Sequence, residues 1–119
     1  LDPKDASNWH EYWRAAGYQL PESSIERCLE LDPRHCGARI DLGAALVVRR
    51  RYQEAAREFA MALKINARNS LASFNLAMTL GRLGHRAKAE ELLSGALKVR
   101  PGDALLKDGF NHLGGAAGG

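Results

Sequence analysis

The chain repeats its pattern of large and small side chains with a period of 34 residues. Residues 36–69 and residues 70–103 align without a gap. The matching positions are Leu42, Gly43, Leu46, Ala55, Phe59, Ala62 and Leu63 in the first stretch, and Leu76, Ala77, Leu80, Ala89, Leu93, Ala96 and Leu97 in the second. A fixed period of this length is typical of arrays in which each unit buries its apolar face against its neighbours.

Each period contains two stretches in which apolar residues recur every three or four positions, which is the spacing of one helix face. We therefore predict helices over residues 36–48, 52–65, 71–83 and 86–99. Gly43 lies inside the first of them, where glycine costs up to about 1 kcal/mol relative to alanine. Close approach of a neighbouring helix would compensate this cost, and Ala77 occupies the same position of the next unit.

The residues before the two full periods predict a shorter unit of the same kind. Trp9 and Trp13 share one face of a predicted helix over residues 6–16. Pro21 begins a second predicted helix, which runs to Leu31. The bend between these helices is about one helical turn shorter than the bends of the two full units.

These units predict an organisation for the whole chain. We expect residues 1–5 to be the tail of a preceding repeat, 6–35 a shortened repeat, 36–69 and 70–103 full repeats, 104–113 a capping helix, and 114–119 a flexible tail or linker. The tripeptide Leu1-Asp2-Pro3 repeats Leu31-Asp32-Pro33, which indicates a piece of a longer array. Asp103 is a suitable N-cap for the last helix, which would cover an exposed end of the array.

The sequence resembles the tetratricopeptide repeat (TPR) family, whose pattern is W-x2-L-G-x2-Y, then A-x3-F and a late proline. The matching residues are Trp9, Tyr12, Trp13, Ala16, Pro21, Ile25 and Pro33, then Arg39, Leu42, Gly43, Leu46, Ala55, Phe59 and Ala67, then Ser73, Leu76, Ala77, Leu80, Ala89, Leu93 and Pro101. The full units depart from the pattern at the tryptophan position, and Ala67 replaces the late proline. The resemblance implies an all-α fold, a right-handed superhelix (α-solenoid) of antiparallel helical hairpins, with about three TPR-like units and a C-terminal capping helix.

The resemblance also implies a binding site, because in TPR proteins the first helices of the hairpins line a concave groove that binds peptides or partner proteins. The corresponding residues are His10, Arg14 and Tyr18, then Ile40, Asp41, Ala44, Val47 and Val48, then Leu71, Phe74, Asn75, Met78 and Arg82. Several of them, such as Val47 and Phe74, are apolar on a face that would be polar if it were solvated. Either a partner segment or another helix of the array is expected to cover them.

One known binding mode of TPR domains is not expected here. Chaperone-binding repeats hold a C-terminal carboxylate with Lys, Asn and Arg side chains. The comparable positions of this chain are His10, Arg14, Asp41, Leu71 and Asn75. None of these positions is a lysine, and Asp41 would repel a carboxylate. We therefore expect weak binding of this kind or none.

No pattern in the sequence predicts catalysis, a metal or a cofactor. The four histidines have no metal-ligand spacing, and GxGxxG, GxxxxGK[ST] and GxSxG are absent. Cys28 aligns with small positions that are expected to be buried, which favours reduced thiols and an intracellular setting. A disulfide between Cys28 and Cys36 remains the alternative. No apolar run nears the roughly 20 residues that span a bilayer. We predict a soluble, cytoplasmic, non-enzymatic protein.

The positive charge is concentrated in the middle of the chain. Residues 34–88 hold 11 basic and 3 acidic side chains, a balance of +8, although the whole chain carries only +3. Arg49, Arg50 and Arg51 form the strongest run, which suits either a helix C-terminus or an acidic partner.

The sequence favours a protein-interaction module, a scaffold or adaptor that binds a peptide or helix of a partner protein in an apolar concave groove. A nucleic-acid partner is disfavoured. One alternative is the non-catalytic TPR arm of a larger enzyme, such as a glycosyltransferase, which presents protein substrates. The other is a binder of acidic partners that uses Arg49–Arg51 together with Arg39 and Arg57.

Overall fold

The structure is a computed structural model that describes residues 22–113. This part of the chain consists of six α-helices and contains no strand. The helices are α1 (Glu22–Leu31), α2 (Cys36–Val48), α3 (Tyr52–Ile65), α4 (Ser70–Arg82), α5 (Arg86–Val99) and α6 (Ala104–His112). Each agrees with its predicted range to within one residue at either end. The predicted helix over residues 6–16 and the segments 1–5 and 114–119 lie outside the described residues.

The helices form the α-solenoid that the sequence predicts. Helices α2 and α3 pair as one antiparallel hairpin, and α4 and α5 pair as a second. Helix α3 packs on α4 to join the hairpins, α1 packs on α2, and α6 packs on both α4 and α5. Stacking of this kind buries the apolar face that a single hairpin would leave exposed.

The 34-residue period is visible in the helix caps. His35, Asn69 and Asp103 precede α2, α4 and α6, and each side chain accepts a hydrogen bond from the backbone N–H three residues later, at 3.0 Å. Such an N-cap satisfies one of the free N–H groups of a helix start and contributes about 1 kcal/mol. Helix α6 therefore occupies the position of a first helix in a further period.

Adjacent units are also linked at equivalent positions. The amide nitrogen of Asn69 donates to the sulfur of Cys36 at 3.5 Å, and the hydroxyl of Ser70 donates to Asp103 at 2.5 Å. Burial raises the pKa of the Cys36 thiol, and the hydrogen bond from Asn69 partly opposes this rise. Cys36 and the buried Cys28 are not joined by the disulfide that the sequence left open.

Gly43 is needed because of the ring that faces it. A Cβ atom at Gly43 would lie 2.4 Å from Cε1 of Phe59, a distance that no real Cβ contact tolerates. Phe59 comes from α3, so the close neighbour is the second helix of the same hairpin. In the next unit Ala77 and Leu93 occupy these positions, and both are fully buried in one apolar cluster.

The turns inside the two hairpins have the same hydrogen bonds. The N–H of Arg51 donates to the carbonyl of Leu46 at 2.8 Å, and the N–H of His85 donates to the carbonyl of Leu80 at 2.8 Å. These are the long-range bonds of a Schellman motif, which requires a left-handed residue just after the helix end.

Among the described residues, none of the helices combines the length and the apolar character that a membrane-spanning helix needs.

Candidate interaction groove

A groove of about 780 Å³ runs across the first helices of successive units. Helix α4 contributes more of its lining than any other helix, with α2 on one side and α6 on the other. The lining residues are Ala44, Val47, Phe59, Phe74, Asn75, Met78, Thr79, Gly81, Arg82, Arg86, Asp108, His112 and Leu113. Because α2, α4 and α6 begin equivalent periods, the groove is built from the same helix face three times.

The structure brings six of the sequence-predicted groove residues together on these walls. They are Ala44, Val47, Phe74, Asn75, Met78 and Arg82. The hydroxyl of Thr79 donates to the backbone carbonyl of Asn75 at 2.7 Å and so turns its polar atom away from solvent. The resulting surface is apolar along its middle and basic at one end, where Arg82 and Arg86 lie.

Ile40 and Asp41 are buried instead of lining the groove. Their exposed fractions are 5% and 3%. Ile40 belongs to a core cluster that also contains Ile25 and Cys28 of α1. Helix α1 packs on α2, and the burial of Ile40 in their common core differs from the open face that the sequence pattern predicts.

Val48 and Leu71 are exposed but do not line the groove. Their exposed fractions are 79% and 42%. Val48 is the last residue of α2 and Leu71 is the second residue of α4. The remaining predicted groove residues, His10, Arg14 and Tyr18, lie outside the described residues.

Arg82 is held at the basic end of the groove by Tyr52. Its guanidinium carbon lies 5.6 Å from the centre of the Tyr52 ring, and Nη1 lies 3.4 Å from the phenol oxygen. A cation over an aromatic ring at this distance is stabilised by about 0.5–1 kcal/mol at an exposed site. The contact limits the positions of the guanidinium and leaves it exposed to a ligand.

Helix α6 supplies a groove wall that the sequence reasoning did not include. Asp108 and His112 line it, and they follow Phe74 and Met78 by one period of 34 residues. Counting one period further would have found both. Leu113 at the end of α6 and Arg86 at the start of α5 complete the wall, and Arg86 also pairs with Glu90 at 3.1 Å.

Phe74 is shared between the groove and the packing of α6. A Cβ atom at Gly109 would lie 2.8 Å from Cδ2 of Phe74 and 3.1 Å from Cδ1 of Leu93. The missing side chain at Gly109 therefore lets α6 approach α4 and α5 closely. Helix α6 therefore covers part of Phe74, which agrees with the expectation that another helix of the array covers this face. The groove beside Phe74 stays open.

A second depression, of about 610 Å³, lies on the outer side between α3 and α5. Its lining includes Leu63, Leu92 and Val99, with Lys88 and Glu91 beside them. We call it the outer groove. It contains none of the sequence-predicted site residues, and the described part of the chain has no group of three metal-ligating side chains.

One residue of the predicted basic surface is already engaged inside the fold. Arg39 pairs with Glu58 at 2.7 Å, and both side chains are largely buried. Its Nε and Nη2 atoms donate to the carbonyl of Pro33. Arg39 therefore joins α2 to α3 and to the preceding turn, and it does not extend the surface of Arg49–Arg51.

Comparison with solved structures finds similar folds in other proteins, some of which are TPR proteins. MamA is similar with a TM-score of 0.79 and 20% identity, over 98% of this chain and 71% of MamA. YrrB, a TPR protein with an unusual peptide-binding site, is similar with a TM-score of 0.77 and 21% identity, over 98% of this chain and 62% of YrrB. The second TPR domain of human RPAP3, in complex with an HSP70 peptide, is similar with a TM-score of 0.74 and 15% identity, over 90% of this chain and 89% of that domain.

At these identities the structural likeness establishes the fold alone. A sequence comparison with curated proteins finds no match. The tetratricopeptide repeat profile matches residues 46–108, which is more than half of the chain. From this match, from the 34-residue recurrence of caps and packing contacts, and from the shared fold, we conclude that the chain belongs to the tetratricopeptide repeat family.

Proposed function

We propose that the chain is a protein-interaction module that binds a peptide or a helix of a partner protein in the groove between α2, α4 and α6. The observation that carries the proposal is an open groove of about 780 Å³ with Val47, Phe74 and Met78 along it. These side chains are only half-buried. Complete burial of a large apolar side chain contributes about 1.5–3 kcal/mol, so an occupant that covers the three would gain part of this from each.

The surface of the groove also suits such an occupant. An amphipathic helix has apolar residues three and four positions apart on one face, and this face would meet the apolar residues of the groove. The polar residues Asn75 and Arg82 lie beside the apolar ones. They could orient the partner backbone and select its register.

Two of the structural neighbours support a peptide ligand. YrrB has an unusual peptide-binding site, and the human RPAP3 domain is in complex with an HSP70 peptide. We do not extend to this chain the mode in which a C-terminal carboxylate is held, because Asp41 is buried and Leu71 lies outside the groove.

The role that we propose is that of a non-catalytic scaffold or adaptor inside the cell. A non-catalytic arm of a larger enzyme would use the groove in the same way, with the partner segment belonging to the enzyme's protein substrate. Both roles require the same binding event, so the groove is tested first.

The sharpest test compares two neighbouring valines. Val47 lines the groove, whereas Val48 is exposed and does not. The purified chain is used to select binders from a displayed library of random dodecapeptides, and the affinity of the selected peptides is measured by fluorescence anisotropy. We expect Val47→Glu to weaken binding at least about tenfold and Val48→Glu to change it little, because only Val47 would be covered.

Controls separate binding from folding. Circular dichroism should show equal helix content for the two variants and the parent chain. Phe74 is less suitable for substitution, because it packs against Gly109 and a charge there would also disturb α6. Equal losses for Val47→Glu and Val48→Glu would remove the groove from the proposal, and a loss caused only by Val99→Glu would move the site to the outer groove.

A further inference from the structure

The basic end of the groove coincides with one edge of the solenoid. In an array of antiparallel hairpins, the turns inside the hairpins all lie at the same edge, and the turns between hairpins lie at the opposite one. The contact between Tyr52 at the start of α3 and Arg82 at the end of α4 shows this directly. We call the edge formed by residues 49–52 and 82–86 the hairpin-turn edge.

This edge is more basic than the opposite edge. The turn residues 49–51 and 83–85 contain three arginines and no acidic residue. The turn residues 32–35, 66–69 and 100–103 at the opposite edge contain three arginines and two aspartates. Arg82 and Arg86 flank the second hairpin turn and add two further positive charges at the mouth of the groove.

Two glutamates pair with arginines of this edge. Glu54 pairs with Arg51 at 2.6 Å, and Glu90 pairs with Arg86 at 3.1 Å. Asp108 of α6 lines the groove on the side away from α2. Arg82 instead lies against a neutral tyrosine, so its charge is not balanced by the residue that positions it.

The apolar and basic parts of the groove are close enough for one ligand segment to contact both. Met78 and Arg82 are four residues apart on α4 and therefore lie on the same helix face. Val47 approaches the same region from α2. A partner that places an apolar side chain between Val47 and Met78 would bring its neighbouring residues to the guanidinium of Arg82.

We propose that the partner is an amphipathic peptide segment that places a large apolar residue in the groove and an acidic side chain, within about one helical turn of it, on Arg82. This proposal rests on the function proposed above for the groove. Asp108 disfavours an acid at the α6 side of the mouth, so the acidic side chain lies toward Tyr52. The apolar residue provides most of the affinity, and the acid selects the partner and its direction.

The ligand chemistry differs from recognition of a free chain end. The acidic group belongs to a side chain, so amidation of the peptide C-terminus leaves its affinity unchanged. It also differs from recognition of a phosphate backbone, because a nucleic acid would use the arginines without filling the space between Val47, Phe74 and Met78. The salt dependence of binding is therefore moderate, as expected for one ion pair at the rim of an apolar contact.

The experiment starts from peptides selected on the intact chain. Sequencing of the selected dodecapeptides is expected to show an aromatic or large aliphatic residue with Asp or Glu within four positions. One such peptide is then synthesised with an amidated C-terminus, together with a copy in which Asn or Gln replaces each acidic residue. The parent chain should bind the neutral copy about fivefold to tenfold more weakly.

Charge variants of the protein identify the pairing residue. We expect Arg82→Glu to weaken binding of the acidic peptide about tenfold and Arg82→Gln about threefold, and each change to weaken binding of the neutral copy less than that of the acidic peptide. Arg68→Glu is the matched control, because it makes the same charge change at the opposite edge. Equal losses for Arg82→Glu and Arg68→Glu would mean a general charge effect and would overturn the proposal.

The remaining outcomes separate this proposal from the one on which it rests. Selected apolar peptides that lack an acidic residue, but lose binding to Val47→Glu, would overturn the acidic partner and leave the groove function intact. Failure to select any peptide sensitive to Val47→Glu would overturn both. Binding of an oligonucleotide that Arg82→Glu abolishes and Val47→Glu leaves unchanged would assign the arginines to nucleic acid and overturn the proposal.

Discussion

The hairpin of α2 and α3 and the hairpin of α4 and α5 meet the same packing requirement with different side chains. In the first, Gly43 faces the ring of Phe59, and a Cβ atom there would be only 2.4 Å from it. In the second, the equivalent positions are Ala77 and Leu93. In each hairpin a larger residue on one helix faces a smaller residue on the other. The two hairpins therefore differ in both residues of the pair, but the total side-chain volume of the pair is similar.

The turns of the two hairpins show a second difference. Gly84 has a φ of +86°, which glycine adopts at little cost, whereas the equivalent Arg50 has a φ of +62°. Both turns keep the same hydrogen bonds to the preceding helix end. The hydrogen bonds and the packing of the hairpin therefore impose the left-handed conformation even where the side chain disfavours it.

The exposed faces differ most, although the sequence pattern treats them alike. Ile40 and Asp41 are buried, while their counterparts Phe74 and Asn75 line the groove. One further period along the chain, Asp108 again lines the groove. The same helix face is thus buried in α2, partly exposed in α4 and charged in α6. Its place in the array decides whether this face belongs to the core or to the groove.

The largest expected effect comes from making the first hairpin resemble the second. Gly43→Ala should destabilise the chain by about 2 kcal/mol, because overpacking against Phe59 outweighs the better helix propensity of alanine. Phe59→Leu alone should cost about 1 kcal/mol through the lost volume. The double variant Gly43→Ala/Phe59→Leu should be no less stable than Phe59→Leu alone.

Urea unfolding of the four chains gives the coupling energy between the two positions. We expect a favourable coupling of about 2 kcal/mol in this cycle, since the double variant removes the clash. If the losses of the two single variants add up in the double variant, the residues at these two positions do not compensate for each other in size. Ala77→Gly in the second hairpin is the converse control, and it should lose about 1 kcal/mol of helix propensity.

An intermediate effect is expected from the N-caps that mark the period. Asn69→Ala removes the side-chain acceptor of the Ala72 N–H and should destabilise the chain by about 1 kcal/mol. Gln53→Ala, at an exposed position within α3, serves as a control and should be nearly neutral. Equal stability of the Asn69→Ala variant and the parent chain in thermal unfolding would contradict the role of this cap.

The cap of α6 should add a pH dependence that the cap of α4 lacks. Hydrogen bonds from Ser70 and from the Leu106 N–H hold the pKa of Asp103 below its ordinary value of 3.8. Stability from this carboxylate is complete above 3.8 and is lost as the pH falls through the lowered folded value. Asp103→Asn should therefore lose less stability on acidification than the parent chain, which acid titration followed by circular dichroism can measure.

The smallest effect is expected at the hairpin turns. Arg50→Gly should stabilise the chain by about 0.5 kcal/mol, because relief of the left-handed conformation exceeds the added entropy of the unfolded chain. The converse change, Gly84→Ala, should destabilise it by about 1 kcal/mol. Thermal unfolding tests both, and destabilisation by Arg50→Gly would mean that the arginine side chain stabilises the turn.

The sequence alone was sufficient for the fold, because the fold depends on local and periodic information. The spacing of apolar residues predicted every helix between residues 22 and 113, and the recurrence of small residues predicted the close contact at Gly43. Asp103 was predicted as an N-cap, and its side chain accepts the Leu106 N–H at 3.0 Å. Each of these features involves residues within one hairpin or one turn.

Only the tertiary structure decided which parts of the repeated face remain open. Ile40 and Phe74 occupy equivalent positions, yet the first is buried in the core that α1 shares, and the second stays partly exposed beside α6. The pairing of Arg82 with Tyr52, 30 residues away, also depends on how the two hairpins stack. The periodic pattern determines which side of each helix faces inward, but exposure depends on the size and distance of the neighbouring unit, and the sequence of a single repeat does not contain that information.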